Sequence, residues 1–500
     1  MLALATPAVA GSINSFTAGD LVIYTVTGTT LDAASAMTLQ EFSLGAGGTT
    51  ATSVGTMTLP QTANGNNSAI SGEYGSASEG FLTLSTNQQY LTVMGYGVNA
   101  NTFNTAPLST YGTAALGQTT SLLPGQQQGT VYTTVPRVVA LIGANGSINT
   151  STALTGVFDG NNPRSVVTVD GTSFYISGQG ASATALPGQT APAKGTGQGV
   201  YYTTLGSTTA TPIDTTTDTR ALAISNVLTG TNTLYVSRDF SPSSSNPCLG
   251  ANANNCTNIS SLTGPGGSLP TSSTTANRII PSTASVSGGN TASIDLTAGL
   301  ANGVNNSRIG SFVYLSPEQY FFASPTVMYV TDSGQPKNGN ANKAALGEGG
   351  LQKWVLNQST GQWTLAYDLV AGLNLVNNAN ANSATPTAPG VTGLFGLTGQ
   401  VVNGQVELFA TSYGLNELSP SYMYEITDTL SDTTIAQAGG ETFTTLFSAP
   451  TNESIRGISF APTETPIPAA LPLFVSGLGA LGVLGWRRKR KAKAPARASA

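Results

Sequence analysis

EGFLTLSTNQQYLTVMGYG (Glu79–Gly97), PRSVVTVDGTSFYISGQG (Pro163–Gly180) and TRALAISNVLTGTNTLYVSRD (Thr219–Asp239) share one plan. Each opens on a polar residue and an apolar run, turns, and closes on a second apolar run that ends in polar residues. Asp170-Gly171 separates two alternating runs, which is the expected signal of a β-hairpin. Thr360-Gly361 and Asn403-Gly404 do the same further along. Looser copies follow at Ile309–Gly334 (with FVYLSPEQYFFASPTVMYVTDSG), Gly390–Tyr413 (GVTGLFGLTGQVVNGQVELFATSY) and Arg456–Pro462 (RGISFAP). No long amphipathic helical period interrupts them between Gly11 and Pro462. The chain reads as all-β.

A two-strand unit repeated at irregular spacing, with hydrophilic loops between copies, is the pattern of a β-propeller of roughly seven blades. On that reading the early run LVIYTVTG (Leu21–Gly28) pairs with the last copy and closes the ring. A pair of packed β-sheets or a β-helix accommodates the same strands, although a β-helix calls for a tighter, more constant repeat. The runs EGFLTLS, NPRSVVTVDGTSFYISGQG and YVTDSG are similar to a group of secreted bacterial propeller-like proteins without an assigned function. That resemblance bears on fold and secretion alone.

Composition narrows the chemistry. The 500 residues contain no histidine, which removes Ser-His-Asp and Cys-His catalysis, His-ligated zinc and haem, and the commonest general base. Two cysteines exclude a four-thiolate metal site. Only 8% of residues are charged, yet 16 Phe and 17 Tyr within a 39% hydrophobic chain supply a core, so low charge does not mean disorder. Seven of the 18 Lys and Arg lie between Arg487 and Arg497, so the remainder carries 11 basic against 23 acidic residues. A body near −12 with no basic stripe argues against nucleic acid as a partner.

The scarce charges follow the repeat. Arg137, Arg164, Arg220, Arg308 and Arg456 each stand before or at the start of a first strand. If those strands line a central channel, the five guanidiniums form a funnel suited to phosphate or carboxylate ligands. The competing reading pairs each Arg with an acidic residue of a neighbouring blade, such as Glu79, Asp218 or Glu318, as a tie between blades. Glu79, Asp159, Asp170, Asp332 and Glu348 sit in Gly/Asn loops such as FDGNNP and TDSGQPKNGN. Such oxygen-rich loops suit Ca²⁺, but none follows the EF-hand order, and Asx-turns account for them without a metal. No cofactor is expected otherwise. Paired carboxylates open glycoside hydrolysis as an option without naming a catalytic residue.

The two ends carry a different message. Ala469–Trp486 (AALPLFVSGLGALGVLGW) is an uncharged stretch long enough to span a bilayer, and Arg487-Arg488-Lys489-Arg490-Lys491 follows it as a cytoplasmic anchor. A buried core helix with a solvated basic end is the bland alternative. With Pro466-Ile467-Pro468-Ala469 in front, the tail resembles a PEP-CTERM-type sorting signal in a Pro-x-Pro-Ala variant, Ile467 standing where that family's motif has Glu. The resemblance implies an exosortase-type processing enzyme as partner, a transient inner-membrane anchor, and delivery to the surface or matrix of a Gram-negative bacterium. Met1–Ala10 (MLALATPAVA) ends in an A-x-A pattern and reads as the remnant of a signal peptide. Cys248 and Cys256, close together in a Ser/Asn/Gly-rich loop, fit a local disulfide in an oxidising compartment.

The expected organisation is therefore a signal remnant (1–10), a β-propeller-like domain (11–462), a linker with the sorting motif (463–468), a transmembrane helix (469–486) and a basic tail (487–500). The expected function is a non-enzymatic binding or structural role at the cell surface or in an exopolysaccharide matrix. The alternatives are a Ca²⁺- or carboxylate-dependent polysaccharide hydrolase or lyase, and a scaffold for protein partners.

Overall fold

The repeated runs do become antiparallel hairpins, and the turn residues explain where. Val402 pairs with Gln405 around Asn403-Gly404, both at positive φ (52° and 80°), the primed turn that matches strand twist. The computed structural model describes residues 11–76, 78–123, 132–181, 195–238, 258–279, 283–285, 312–314, 317–334, 349–373, 375, 390–414 and 420–464. These residues are mostly β, with two short α-helices, Ala100–Thr105 and Leu108–Tyr111. Chain contacts divide the protein into a unit of residues 1–463 and one of 464–500.

The described part of the first contains six four-stranded antiparallel units, two of them within one ten-stranded sheet, and a two-stranded sheet of Thr283–Ser285 and Phe312–Tyr314. Sheet 1 contains Thr83–Leu84, Tyr90–Tyr96, Arg137–Gly143 and Ile148–Leu154. Sheet 2 contains Pro163–Val167, Ser173–Gly178, Gly199–Thr204 and Thr211–Asp214. Sheet 3 contains Thr219–Ser225, Thr233–Arg238, Asn258–Leu262 and Asn277–Arg278. Sheet 4 contains Pro317–Ser324, Val327–Asp332, Gly350–Asn357 and Gln362–Leu369. Sheet 5 contains Val391–Val402, Gln405–Gly414, Tyr422–Thr429 and Thr444–Ser448. Sheet 6 joins the two ends of the unit: Glu453–Phe460 pairs with Leu21–Thr27, followed by Ala33–Leu44 and Ala51–Thr58. The closure expected of Leu21–Gly28 is thus present.

The first strands of sheets 1 to 6 touch one another in order, and the sixth touches the first, so they form a closed ring. Among the described residues that ring has six members, against roughly seven expected. The first strands of sheets 3 and 4 are in direct contact, which leaves no room for another sheet between them. The result is a β-propeller-like ring, whose inner and second strands are buried between neighbouring sheets while outer strands such as Thr211–Asp214 stay partly exposed. Separate apolar clusters fill the interfaces: Leu141, Val166 and Phe174 between sheets 1 and 2, Tyr175, Leu222 and Val236 between 2 and 3, and Phe42, Phe409 and Ile458 between 5 and 6.

A ring of inner strands creates a polar problem, because each has a ladder partner on one side only and its other carbonyls need donors. Hydroxyls on the second strands solve it. Ser177 donates to Arg220 O, Ser237 to Glu318 O (2.6 Å), Thr331 to Phe395 O and Thr411 to Arg456 O (both 2.7 Å), and Thr92 to Val166 O (2.9 Å). Each crosses to the next sheet, so five of the six interfaces carry at least one such tie. At the sixth, Ser71–Tyr74 pairs with Ala33–Leu44 on one side and touches Tyr90–Tyr96 on the other, merging sheets 6 and 1.

Arg308, Glu348, Cys248, Cys256, residues 1–10, Pro466–Ala469, the expected span 469–486 and Arg487–Lys491 lie outside the described residues. Among those described, no helix is long and apolar enough to cross a membrane.

Candidate functional site

The centre of the ring holds a cavity of about 160 Å³ lined by all six inner strands, including Leu82, Val167, Leu222, Tyr320, Leu397 and Ile458. No charged side chain lines it. Phe81 and Phe395, from sheets 1 and 5, stack at 4.2 Å between centroids and 19° between planes, placing aromatic bulk among the inner strands. The expected arginine-lined channel is not what the described residues build.

Each described arginine has a place of its own. Arg137 starts the third strand of sheet 1, not an inner strand, and is fully buried. It donates to four carbonyls at 2.8–3.0 Å (Thr119, Val135, Phe158, Asn161) and lies 4.9 Å from the Tyr96 ring centre. Arg164 does start an inner strand, and it reaches Asp218 Oδ1 on the segment entering sheet 3 and Gln179 Oε1 at the end of its own sheet, both at 2.7 Å. Arg220 pairs with Glu318, tying sheet 3 to sheet 4, and both are buried. Arg456 is 4% exposed and donates to Glu73 O at 3.5 Å. The pairing alternative therefore describes Arg164 and Arg220.

Two further ties had no place in the sequence reading. Arg238 pairs with Asp214 between sheets 3 and 2. Lys353 in sheet 4, fully buried, lies 2.9 Å from Asp428 in sheet 5 and donates to Thr429 O and the Tyr367 hydroxyl. The signal for Arg238 was present, since it ends the second run of a repeat; a buried lysine inside an apolar strand leaves none. Asp428 also accepts from Tyr329 and Tyr367, and burial pushes both phenols up. Asp432 and Glu441 bring their carboxylates within 4.8 Å of Asp428. Burial, then the neighbouring Asp428, pushes Glu441 up to about 8.

The loop carboxylates divide. Asp170 accepts from the Thr172 amide and hydroxyl at 3.0 and 2.6 Å, an Asx-turn that holds its carboxyl below its ordinary value. Asp159 turns inward onto Thr120 Oγ1 (2.8 Å) and Ser121 N (2.7 Å). Asp332 accepts from Gly334 N and Gln352 Nε2, both at 2.8 Å. Glu79 is different. It is buried at the junction of sheets 6 and 1, where its carboxylate accepts from Glu73 N (2.6 Å) and Tyr96 OH (2.8 Å). Burial raises it to about 7, although Arg456 pulls the other way.

That shift has a direction in stability. A carboxyl whose folded value lies above its unfolded one holds a proton that the unfolded chain releases, so stability falls as pH rises between the two. For Glu79 the window runs from its ordinary value of 4.5 to about 7, and for Glu441 to about 8. The melting temperature is expected to be higher at mildly acidic pH than above pH 8 (roughly the end of both windows). Thermal unfolding of wild type and Glu79→Gln across this range checks it: the variant should show a shallower decline.

Beside Glu79 opens a second cavity of about 190 Å³, walled by Asp32, Glu73, Ser76, Gly117, Asn161 and Asn162 among others. Its position follows from the segment after Tyr96. Asn99 caps the first helix by accepting from Thr102 N (2.9 Å), and Phe103 and Tyr111 anchor the insertion against Ala34 and Tyr96. That seats Ala115–Gln118 opposite the FDGNNP loop.

No family model matches the chain, and no curated protein matches it. Among solved structures it is similar to the apocarotenoid oxygenase of Synechocystis, at 9% identity over 91% of this chain and 95% of that one, with a TM-score of 0.38. It is also similar to a levansucrase from Bacillus subtilis, at 9% identity over 86% of each chain and a TM-score of 0.29. A β-fructofuranosidase of Bombyx mori aligns at 9% identity over 75% of this chain and 61% of that one, with a TM-score of 0.28. Likeness at this level transfers no activity.

Proposed function

We propose that this is an exported cell-surface or extracellular-matrix protein with a non-enzymatic binding or structural role, built on a six-bladed β-propeller and released through its C-terminal sorting signal. The observation that supports the role is the use of charge. Arg164, Arg220, Arg238 and Lys353 are buried in ties between sheets, and the central cavity is lined without charge. A scaffold of this kind presents Thr-, Asn- and Gly-rich loops to hydrated partners such as exopolysaccharide. Cleavage after Ala10 would leave Gly11 to begin the edge strand that pairs with Ala51–Thr58.

The hydrolase alternative needs carboxylates that reach a substrate. Asp428, the innermost of the clustered three, is closed over by two tyrosines and Lys353, which disfavours it as a working acid or base.

The test is processing in a Gram-negative host that carries an exosortase-type enzyme, with an upstream signal sequence supplied. Cleavage near Pro468 and release from the membrane fraction are expected by intact mass, and Pro466→Ala/Pro468→Ala should hold the chain in the membrane. Equal release of both forms, or a cytosolic chain retaining Met1, overturns the export reading. Turnover of any polysaccharide by the released protein replaces the binding role with the hydrolase one.

A further inference from the structure

Gln319, on the inner strand of sheet 4, lines the central cavity and is only 8% exposed. Thr331 Oγ1 satisfies its backbone, accepting from Gln319 N at 3.0 Å and donating to Gln319 O at 2.9 Å. Its Oε1 accepts from Leu397 N of sheet 5, also at 2.9 Å. A backbone N–H only donates, so this bond decides which end of the side-chain amide is oxygen and holds it there. Nε2 is left with its hydrogens and no acceptor among the described residues. It is not sealed inside the protein, so the space it reaches is the cavity that Gln319 lines. Ser459, 3% exposed on the inner strand of sheet 6, lines the same cavity, and its Oγ is also unsealed and without a partner among the described residues.

Buried amides and hydroxyls are nearly always hydrogen-bonded, and the exceptions are met by water or a ligand. The walls say which ligand. Leu82, Val167, Leu222, Leu397 and Ile458 make them largely aliphatic, and no charged side chain is present to balance an ion stripped of its water. A hexose carries a hydroxyl on nearly every carbon, more than so few polar groups can satisfy. The volume of about 160 Å³ sets the size, since an apolar cavity of about 150 Å³ admits one benzene ring. Thr86 is exposed and Thr398 half-buried, which marks the open end through which such a molecule enters. Largely apolar walls with a few placed polar groups are the usual make-up of a small-molecule site.

We propose that the centre of the ring binds one small uncharged ring compound bearing a carbonyl, whose oxygen accepts from Gln319 Nε2. The apolar ring of the ligand fills the space between the aliphatic walls, and the carbonyl takes the donor that the protein leaves unused. Leu397 N holds the amide in place before the ligand arrives, so little freedom is lost on binding. The inference rests on the central cavity alone. Its failure would leave the export reading intact, and failure of that reading would leave the cavity as it is.

The full-length protein is titrated with acetophenone, benzoate and glucose, each followed by ligand-observed NMR, with thermal unfolding in parallel. Acetophenone should saturate with Kd on the order of 10⁻³ M and raise the melting temperature, while benzoate and glucose should not saturate. Gln319→Glu keeps an acceptor for Leu397 N but replaces the donor with a carboxylate, and should weaken acetophenone by about tenfold or more. Ser459→Leu puts bulk where Oγ reaches open space, and should weaken it similarly by filling the cavity. The two variants act independently, so if one does not fold the other decides. Gly440→Ala, whose β-carbon has nothing within 4 Å, should bind as wild type does. Absence of saturable acetophenone binding leaves only water in the cavity and overturns the site. Wild-type affinity in either folded variant, or loss of binding in Gly440→Ala, overturns its location. Saturation by glucose or benzoate that Ser459→Leu abolishes overturns the ligand class.

Discussion

Gly457→Val should cost about 3 kcal/mol or more of stability, because the added side chain has nowhere to go. A β-carbon at Gly457 would lie 2.1 Å from Leu82 N and 2.5 Å from Gly80 O, both backbone atoms of the segment leading into the neighbouring inner strand. Flexible side chains yield to such an intrusion; backbone held in a closed ring does not. Gly393 makes the matching approach between sheets 5 and 4, where a β-carbon would meet Asp332 O at 2.1 Å. Gly457 follows Arg456, and Gly393 follows Thr392, within their inner strands. Denaturant unfolding gives the measurement, with Gly440→Ala as the control, since nothing lies within 4 Å of its β-carbon. A wild-type midpoint for Gly457→Val would mean that sheets 6 and 1 do not meet as described. Should the valine variant fail to fold, Gly457→Ala supplies the graded value.

What the sequence shows and what it hides separate along physical lines. Local chemistry is legible: Asp170-Gly171 and Asn403-Gly404 mark hairpins because positive φ is needed there, and both are hairpins. Ring closure by Leu21–Thr27 is legible too, since a lone apolar run before the first full copy has to find a partner. The number of sheets is not, because outer strands such as Thr211–Asp214 are short and partly exposed, and loop length obscures the repeat.

Site residues fail for a different reason. An arginine opening a strand reads the same whether it faces a channel or a carboxylate of the next sheet. Only the position of Asp218 or Glu318, set by non-local packing, distinguishes them. Likewise the polar endings YISG, YVSR and YVTD are visible as a motif, but their hydroxyls acquire a role only when the next sheet brings its carbonyl. FDGNNP reads as an oxygen-rich loop, and the second cavity does use Gly160–Asn162. Its carboxylates are Asp32 and Glu73, brought there by the strand that bridges two sheets.

The Arg220–Glu318 pair yields the other large effect, and its sign depends on how many partners are removed. Glu318 is fully buried, and its Oε2 has no hydrogen-bond partner among the described residues. Taking both charges out of water costs several kcal/mol per ion, which one ion pair offsets incompletely when an oxygen is left without a bond. Removing one partner is worse still, because the other is left charged and buried at the junction of sheets 3 and 4. Arg220→Met is therefore expected to destabilise the protein by roughly 3–5 kcal/mol, and Glu318→Leu by a similar amount. The double variant should recover most of that loss and lie within about 2 kcal/mol of wild type, since apolar side chains of similar volume replace the pair. The backbone ties survive in all three, because Ser177 and Ser237 donate to the carbonyls of Arg220 and Glu318, not to their side chains. Denaturant midpoints of the four proteins close the cycle. A strongly favourable coupling means the charges act as one buried unit joining sheets 3 and 4. Additive losses would place the two side chains in water, apart from each other.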